Sequence, residues 1–215
     1  MSSNILNILA MLLPILISLS VHEYSHGYIA WRFGDNTAKS LGRLTLNPLS
    51  HIDPIGMLML FVVGMGWAKP VPINIHAFRH PKRDLALSAA AGPASNFLMA
   101  AMAGLLFRIF PGLVPLSNDT GILLFLKLNL FYFLLINVGL GIFNLIPIPP
   151  LDGSKILRGF LPDSKTYIVD QLERYGGFVL FGIVLLGRAI GYPVFSRLIG
   201  PLIYGLVRFL SGIVL

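Results

Sequence analysis

The chain has 215 residues, 55% of them hydrophobic and only 12% charged, with a mean hydropathy of +0.79; soluble domains carry about a quarter charged residues, so an ordinary soluble fold is excluded. The formal net charge of +7 does not point to nucleic acid, because Lys and Arg gather at the ends of apolar runs, where they act as orientation signals. The absence of cysteine rules out disulfides and thiolate ligands, so any metal must be held by nitrogen and oxygen.

The first apolar run extends from about Ile5 to Phe33, long enough to span a bilayer with some tilt. Residues 1–17 carry no Lys or Arg, so the basic region of a signal peptide is missing and the run is expected to be a retained helix. The stretches LGRLTLNPLSHIDP (41–54) and GWAKPVPINI (66–75) contain Pro, Gly and partial alternation. They are expected to be short strands or extended loops. Between them, Ile55–Met65 is apolar but too short to span, which predicts a re-entrant or interfacial hairpin.

A second span is expected over about Leu85–Phe110, with small residues (SAAAGPASN) that let helix backbones approach closely. A third starts near Ile122 and breaks up at NLIPIPPLDG (144–153). Ser154–Tyr175 is mixed and charged and reads as one or two surface helices. Two further spans are expected, at about Gly177–Ile190 and Val194–Ile213. The fold class is therefore an all-α polytopic membrane protein. It has a three-helix core (about 5–158), two C-terminal transmembrane helices (about 176–213) and a short membrane-associated β or re-entrant element at about 41–75. The whole chain, 1–215, is read as a single domain.

Positive charges orient this arrangement. Arg32, Lys39 and Arg43, then Lys69 to Arg83, and finally Lys155, Arg158, Lys165 and Arg174 are expected on the cytoplasmic side. The loop 111–120 is then outside, with Lys127 snorkelling towards it and Arg108 a mild exception.

Chemistry concentrates in HEYSH, His22 to His26. Residues four apart stack on one helical face, a spacing that lets two imidazoles bind one tetrahedral zinc. Glu23 flanks that position, where it can take a proton from a zinc-activated water. Five His and the two Glu (Glu23 and Glu173), scattered at random, would form HExxH about once in a thousand chains of this length. The bland alternative, a structural histidine pair, would place ionisable groups in lipid at roughly 2–3 kcal/mol each.

A catalytic zinc generally has three protein ligands and one open position. Asp152 in NLIPIPPLDG is the candidate for the third, because irregular backbone at membrane depth survives only where protein or a water-filled cavity surrounds it. N-capping of the following helix is its alternative role.

HEYSH on the first span, AGPASN on the second, NLIPIPPLDG closing the third and the loop LGRLTLNPLSHIDPIG together resemble the site-2 protease family of intramembrane zinc metalloproteases. The resemblance implies one catalytic Zn2+ bound by His22, His26 and Asp152, with Glu23 as general base. It also points to Asn144 and Asn96 as asparagines near the site. Either could donate to the scissile carbonyl or oxyanion, or simply cap or cross-brace helices. His51 and Asp53 could orient the ligands from behind or cap their own loop, and His51 is a spare ligand should Asp152 not serve.

No room for PDZ or CBS domains is apparent, which suggests a minimal form. The expected activity is regulated intramembrane proteolysis: cleavage in or beside the transmembrane segment of a membrane protein. Its partners would be that substrate and membrane lipid, in a prokaryotic cell membrane with the site towards the cytoplasm. The segments 41–47 and 71–75 could hold an unwound substrate by edge pairing. The rival function is a metal transporter with the same ligands. Transport needs ionisable groups along a path to both faces, whereas here they gather near one.

Overall fold

The computed structural model describes residues 2–63, 66–115, 118–192 and 194–213. Helix α1, Ser2–Arg32, is 31 residues long with Pro14 inside it. Its serines are accommodated by back-bonding. Ser20 Oγ donates to the Leu16 carbonyl at 2.6 Å and Ser25 Oγ to that of Val21 at 2.7 Å, so neither hydroxyl is left bare in an apolar setting. A short α2 (Thr37–Ser40) follows, then α3 (Pro54–Val63), α4 (Pro81–Ile109) and α5 (Gly121–Asn144). The chain ends in α6 (Asp152–Phe160), α7 (Thr166–Ala189) and α8 (Val194–Ser211).

Helix α4 packs closely on both α1 and α5, as those two do on each other. Its small residues make that possible: Ser88, Ala89, Gly92, Asn96, Ala100 and Ala103 are all buried. A dry cluster of Ala100, Ala103, Phe107, Leu134, Val138 and Val207 joins α4, α5 and α8. Arg108, the exception to the charge pattern, ends α4 by donating to the carbonyls of Leu210 (2.7 Å) and Phe209. It thereby satisfies acceptors that the last turn of α8 would otherwise leave unpaired.

The fold bears on three of the sequence expectations. Segments 41–54 and 66–75 form no strand among the described residues; an isolated antiparallel bridge, Ile52 to Ala68, is all that remains of the β element. Pro48, Pro54, Pro70 and Pro72 remove ladder donors, and side chains take over the role of a sheet. The Arg43 guanidinium donates to the carbonyls of Lys69 (3.0 Å) and Pro70 (3.2 Å). Asp35 accepts from the Asn74 N–H at 2.7 Å.

Among the described residues four helices are long and apolar enough to cross a membrane: Ile5–Arg32, Pro81–Ile109, Gly121–Asn144 and, at the C-terminus, Val194–Ser211. The segment 177–190, expected as a further span, is the second half of α7, whose first half carries Asp170, Glu173 and Arg174; α7 is not one of these four helices. Lys127 reaches towards the 111–120 loop as expected and ends there in an ion pair. It is buried, 2.9 Å from both carboxylate oxygens of Asp119, which folds back over it from the preceding loop.

Between the two paired loops, α3 is a helix of ten residues. At 1.5 Å per residue it covers roughly 15 Å, half the hydrocarbon thickness, as the sequence expectation of a non-spanning element requires. The end of that expected segment, Gly64 and Met65, lies outside the described residues.

Candidate metal and active site

The regular helix of α1 puts the side chains of His22 and His26 one above the other, one turn apart. The chain beyond α5 then returns through the turns at 145–151 to bring the first residue of α6 beside them. The return is tight: a Cβ at Gly153 would collide with the carbonyls of Leu145 and Ile146. Leu151 occupies the N-cap position of α6 and Asp152 is the first residue of the helix. The alternative of an N-cap is therefore not realised.

Three donor atoms converge. His22 Nε2 and His26 Nε2 are 2.9 Å apart, and Asp152 Oδ2 lies 3.1 Å from the first and 3.2 Å from the second. All three residues are buried, at 4–7% exposure, and Asp152 Oδ2 has no hydrogen-bond partner. A tetrahedral zinc with bonds of about 2.0–2.1 Å separates its ligand atoms by about 3.3 Å. The triangle has that size, with one corner of the tetrahedron left for a water or a substrate. Among the described residues, this is the group of His and carboxylate side chains arranged to hold a metal ion.

The tautomers follow from the partners. His26 Nδ1 lies 2.7 Å from the Ser88 carbonyl, which can only accept, so Nδ1 carries the proton and Nε2 presents its lone pair. His22 Nδ1 likewise donates to Asn96 Oδ1 at 2.6 Å. Two lone pairs and a carboxylate oxygen facing each other in a buried space call for a cation.

Behind the triangle runs a polar chain across all three core helices. Asn96 Nδ2 donates to Asn137 Oδ1 at 2.8 Å. Asn137 Nδ2 in turn donates to Ser18 Oγ and to the Phe133 carbonyl, both at 2.8 Å. Such outer partners fix the ring orientation of metal-binding histidines. Asn96 thus braces His22 rather than presenting its amide to a substrate. Asn137 had no signal in the sequence beyond being an asparagine inside an apolar span.

Gly92 makes the close approach possible. A Cβ there would lie 2.7 Å from His22 Cε1 and within contact distance of His26 Cε1 and Nε2.

Glu23 is half-buried and its Oε2 accepts from the Val71 N–H at 2.8 Å. In Pro70–Val71–Pro72 that amide is the available donor, since proline has none. Asn144 back-bonds to the Leu140 carbonyl at 3.1 Å within its own helix. Asp53 caps α3, accepting from the N–H groups of Ile55 and Gly56 at 2.9 Å. His51 donates from Nε2 to the Thr45 carbonyl at 2.8 Å.

Comparison with known proteins adds to this geometry. Residues 121–186 match the profile of peptidase family M50. YwhC of Bacillus subtilis, designated a zinc metalloprotease, is 35% identical over 86% of this chain and 85% of its own length. Rip2 of Mycolicibacterium smegmatis, with the same designation, is 29% identical over 92% of this chain and 72% of its length. The zinc metalloprotease MJ0392 of Methanocaldococcus jannaschii is 26% identical over 71% of this chain and 34% of its own. No solved structure matches the chain.

Proposed function

We propose, for a chain that belongs to peptidase family M50 and is a zinc metalloendopeptidase of the site-2 type, that it hydrolyses a peptide bond within or beside the transmembrane segment of another membrane protein. The observation that carries this reading is the buried triangle of His22 Nε2, His26 Nε2 and Asp152 Oδ2, with sides of 2.9–3.2 Å, next to the Glu23 carboxylate. Its supporting helices are long and apolar enough to lie in a bilayer.

In this reading His22, His26 and Asp152 hold the zinc. Bound zinc supplies Lewis acidity, polarising the scissile carbonyl and acidifying the attacking water. Glu23 takes the proton from that water as the new C–O bond forms. It then delivers the proton to the nitrogen as the C–N bond breaks, so the leaving group departs as a neutral amine. Asn96, Asn137 and Ser88 hold the imidazoles in the tautomer that leaves both Nε2 lone pairs facing inward.

A transmembrane helix hides its carbonyls in internal hydrogen bonds, so the substrate must unwind locally before it can be cut. We read residues 1–215 as one protease domain in a prokaryotic cell membrane, with the site near the cytoplasmic face, to which the charge pattern assigns the end of α1.

The test compares zinc per chain and cleavage in wild type, Asp152→Ala and Glu23→Gln. The reading expects about one zinc in wild type, loss of zinc in Asp152→Ala, and retained zinc without cleavage in Glu23→Gln. Full zinc in Asp152→Ala, or full cleavage by Glu23→Gln, would refute it.

A further inference from the structure

A cavity of about 360 Å3 lies between α1 and α5, closed by α3 and the 66–68 segment. That volume is at the lower end for pockets that take ligands. Leu16 and Leu19 of α1, Leu140 and Phe143 of α5, Met57 of α3 and Trp67 give it apolar walls. His51 also lines it and is only 2% exposed. The His51 Nε2–H is committed to the Thr45 carbonyl, so the remaining nitrogen of the neutral ring, Nδ1, is an acceptor. That Nδ1 is buried without a partner.

The cavity's position relates it to the site. Leu16 and Leu19 precede Glu23 by seven and four residues, offsets that put all three on one face of α1. They lie roughly 6–10 Å further along the axis, towards the middle of the helix and so towards the bilayer interior. The wall formed by Trp67 and Ala68 continues within three residues to Val71, whose N–H holds Glu23. A peptide approaching the metal site along this face of α1 would pass the cavity before reaching Glu23.

We propose that the cavity is a substrate subsite that takes a bulky apolar side chain adjacent to the scissile bond, with His51 Nδ1 accepting a hydrogen bond from a nearby backbone N–H of the unwound peptide. This rests on the protease reading above and adds the side-chain preference. Peptide N–H groups inside an intact helix are already bonded, so only an unwound segment can satisfy His51. Recognition of sequence and recognition of local unwinding are thus joined in one pocket.

The probe is a set of synthetic hydrophobic peptides of about 22 residues, sufficient to span a bilayer, in detergent micelles. Each position in turn carries Leu or Ala. Cleavage and zinc content are followed for wild type, Leu16→Trp, Leu140→Trp and His51→Phe. In wild type, Leu at one fixed distance from the cut should raise kcat/KM about tenfold or more over Ala, the discrimination a few methylenes supply in an apolar pocket.

The tryptophan variants, filling the cavity from opposite helices, should abolish or invert that preference while keeping one zinc. Replacing the neighbouring amide by an ester should lower wild-type kcat/KM about tenfold and leave His51→Phe indifferent. Equal cleavage of Leu and Ala peptides, or a wild-type preference in zinc-loaded tryptophan variants, overturns the subsite and leaves the protease reading intact. An ester effect undiminished in His51→Phe overturns the role of His51. Zinc-loaded wild type that cuts no peptide overturns the protease reading and the subsite together.

Discussion

Replacing Gly92 by alanine perturbs the metal site from the opposite helix by a single methyl group. In the structure the added Cβ stands 2.7 Å from His22 Cε1 and closer still to His26. Carbon contacts settle at about 3.5 Å or more, so His22 must move by about 0.8 Å relative to α4, and His26 by more. Neither ring can swing aside freely. Each is fastened by Nδ1 to α4 itself, His26 to the Ser88 carbonyl and His22 to Asn96. Metal–ligand distances tolerate only about ±0.2 Å. The displacement is several times that, and Gly92→Ala should lower zinc affinity by at least about 100-fold, the upper range for disturbing a ligand's support. Overpacking of this kind also costs about 1–3 kcal/mol of stability. Zinc retention against chelators of graded strength, with thermal unfolding in the same detergent, measures both. Gly205→Ala is the control, because its added methyl meets nothing within 4 Å. Wild-type zinc affinity in Gly92→Ala would refute the reasoning.

Asn137→Leu removes the acceptor of Asn96 Nδ2 and the donor to Ser18. Leaving such buried groups unpaired should cost about 1–3 kcal/mol, and zinc affinity should fall about tenfold in the same chelator competition. Val71→Pro deletes the N–H that meets Glu23. Loss of one charge-assisted bond predicts a fall of about 10- to 100-fold in kcat with zinc content unchanged. Arg108→Ala frees the carbonyls of Phe209 and Leu210 and should lower the unfolding temperature without altering zinc binding.

The three core helices were legible because twenty or more apolar residues in a row have few other destinations. His22 and His26 were legible as a pair because helical spacing brings i and i+4 together, and the structure sets Asp152 beside them. The rest depends on contacts between segments distant in sequence. Asn137 acts through Asn96, 41 residues away, and no local pattern announces that partnership. The role of Gly92 exists only where α4 presses on α1. For 41–54 and 66–75 the sequence leaves strand and extended loop open, and the loop form prevails because four prolines and Arg43 replace a ladder with side-chain bonds. The C-terminal span at 177–190 was drawn as its own element because charged residues precede it; the helix simply runs through them, from Thr166 to Ala189.

The bond between Glu23 and the Val71 amide bears on how an inactive form should be made. In the proposed reaction a carboxylate there has two jobs, moving a proton and mooring the 69–72 segment over α1. Glutamine keeps an oxygen that can accept from the same N–H, so Glu23→Gln stops the reaction with the segment still seated. Alanine would remove the mooring as well, and an alanine variant used to trap a substrate would present it with a differently covered site. The same logic holds within each turnover. In the proposed reaction Glu23 carries the proton only between attack of the water and breakage of the C–N bond, so its hold on the segment weakens while the intermediate is bound and is restored as the two cut ends form.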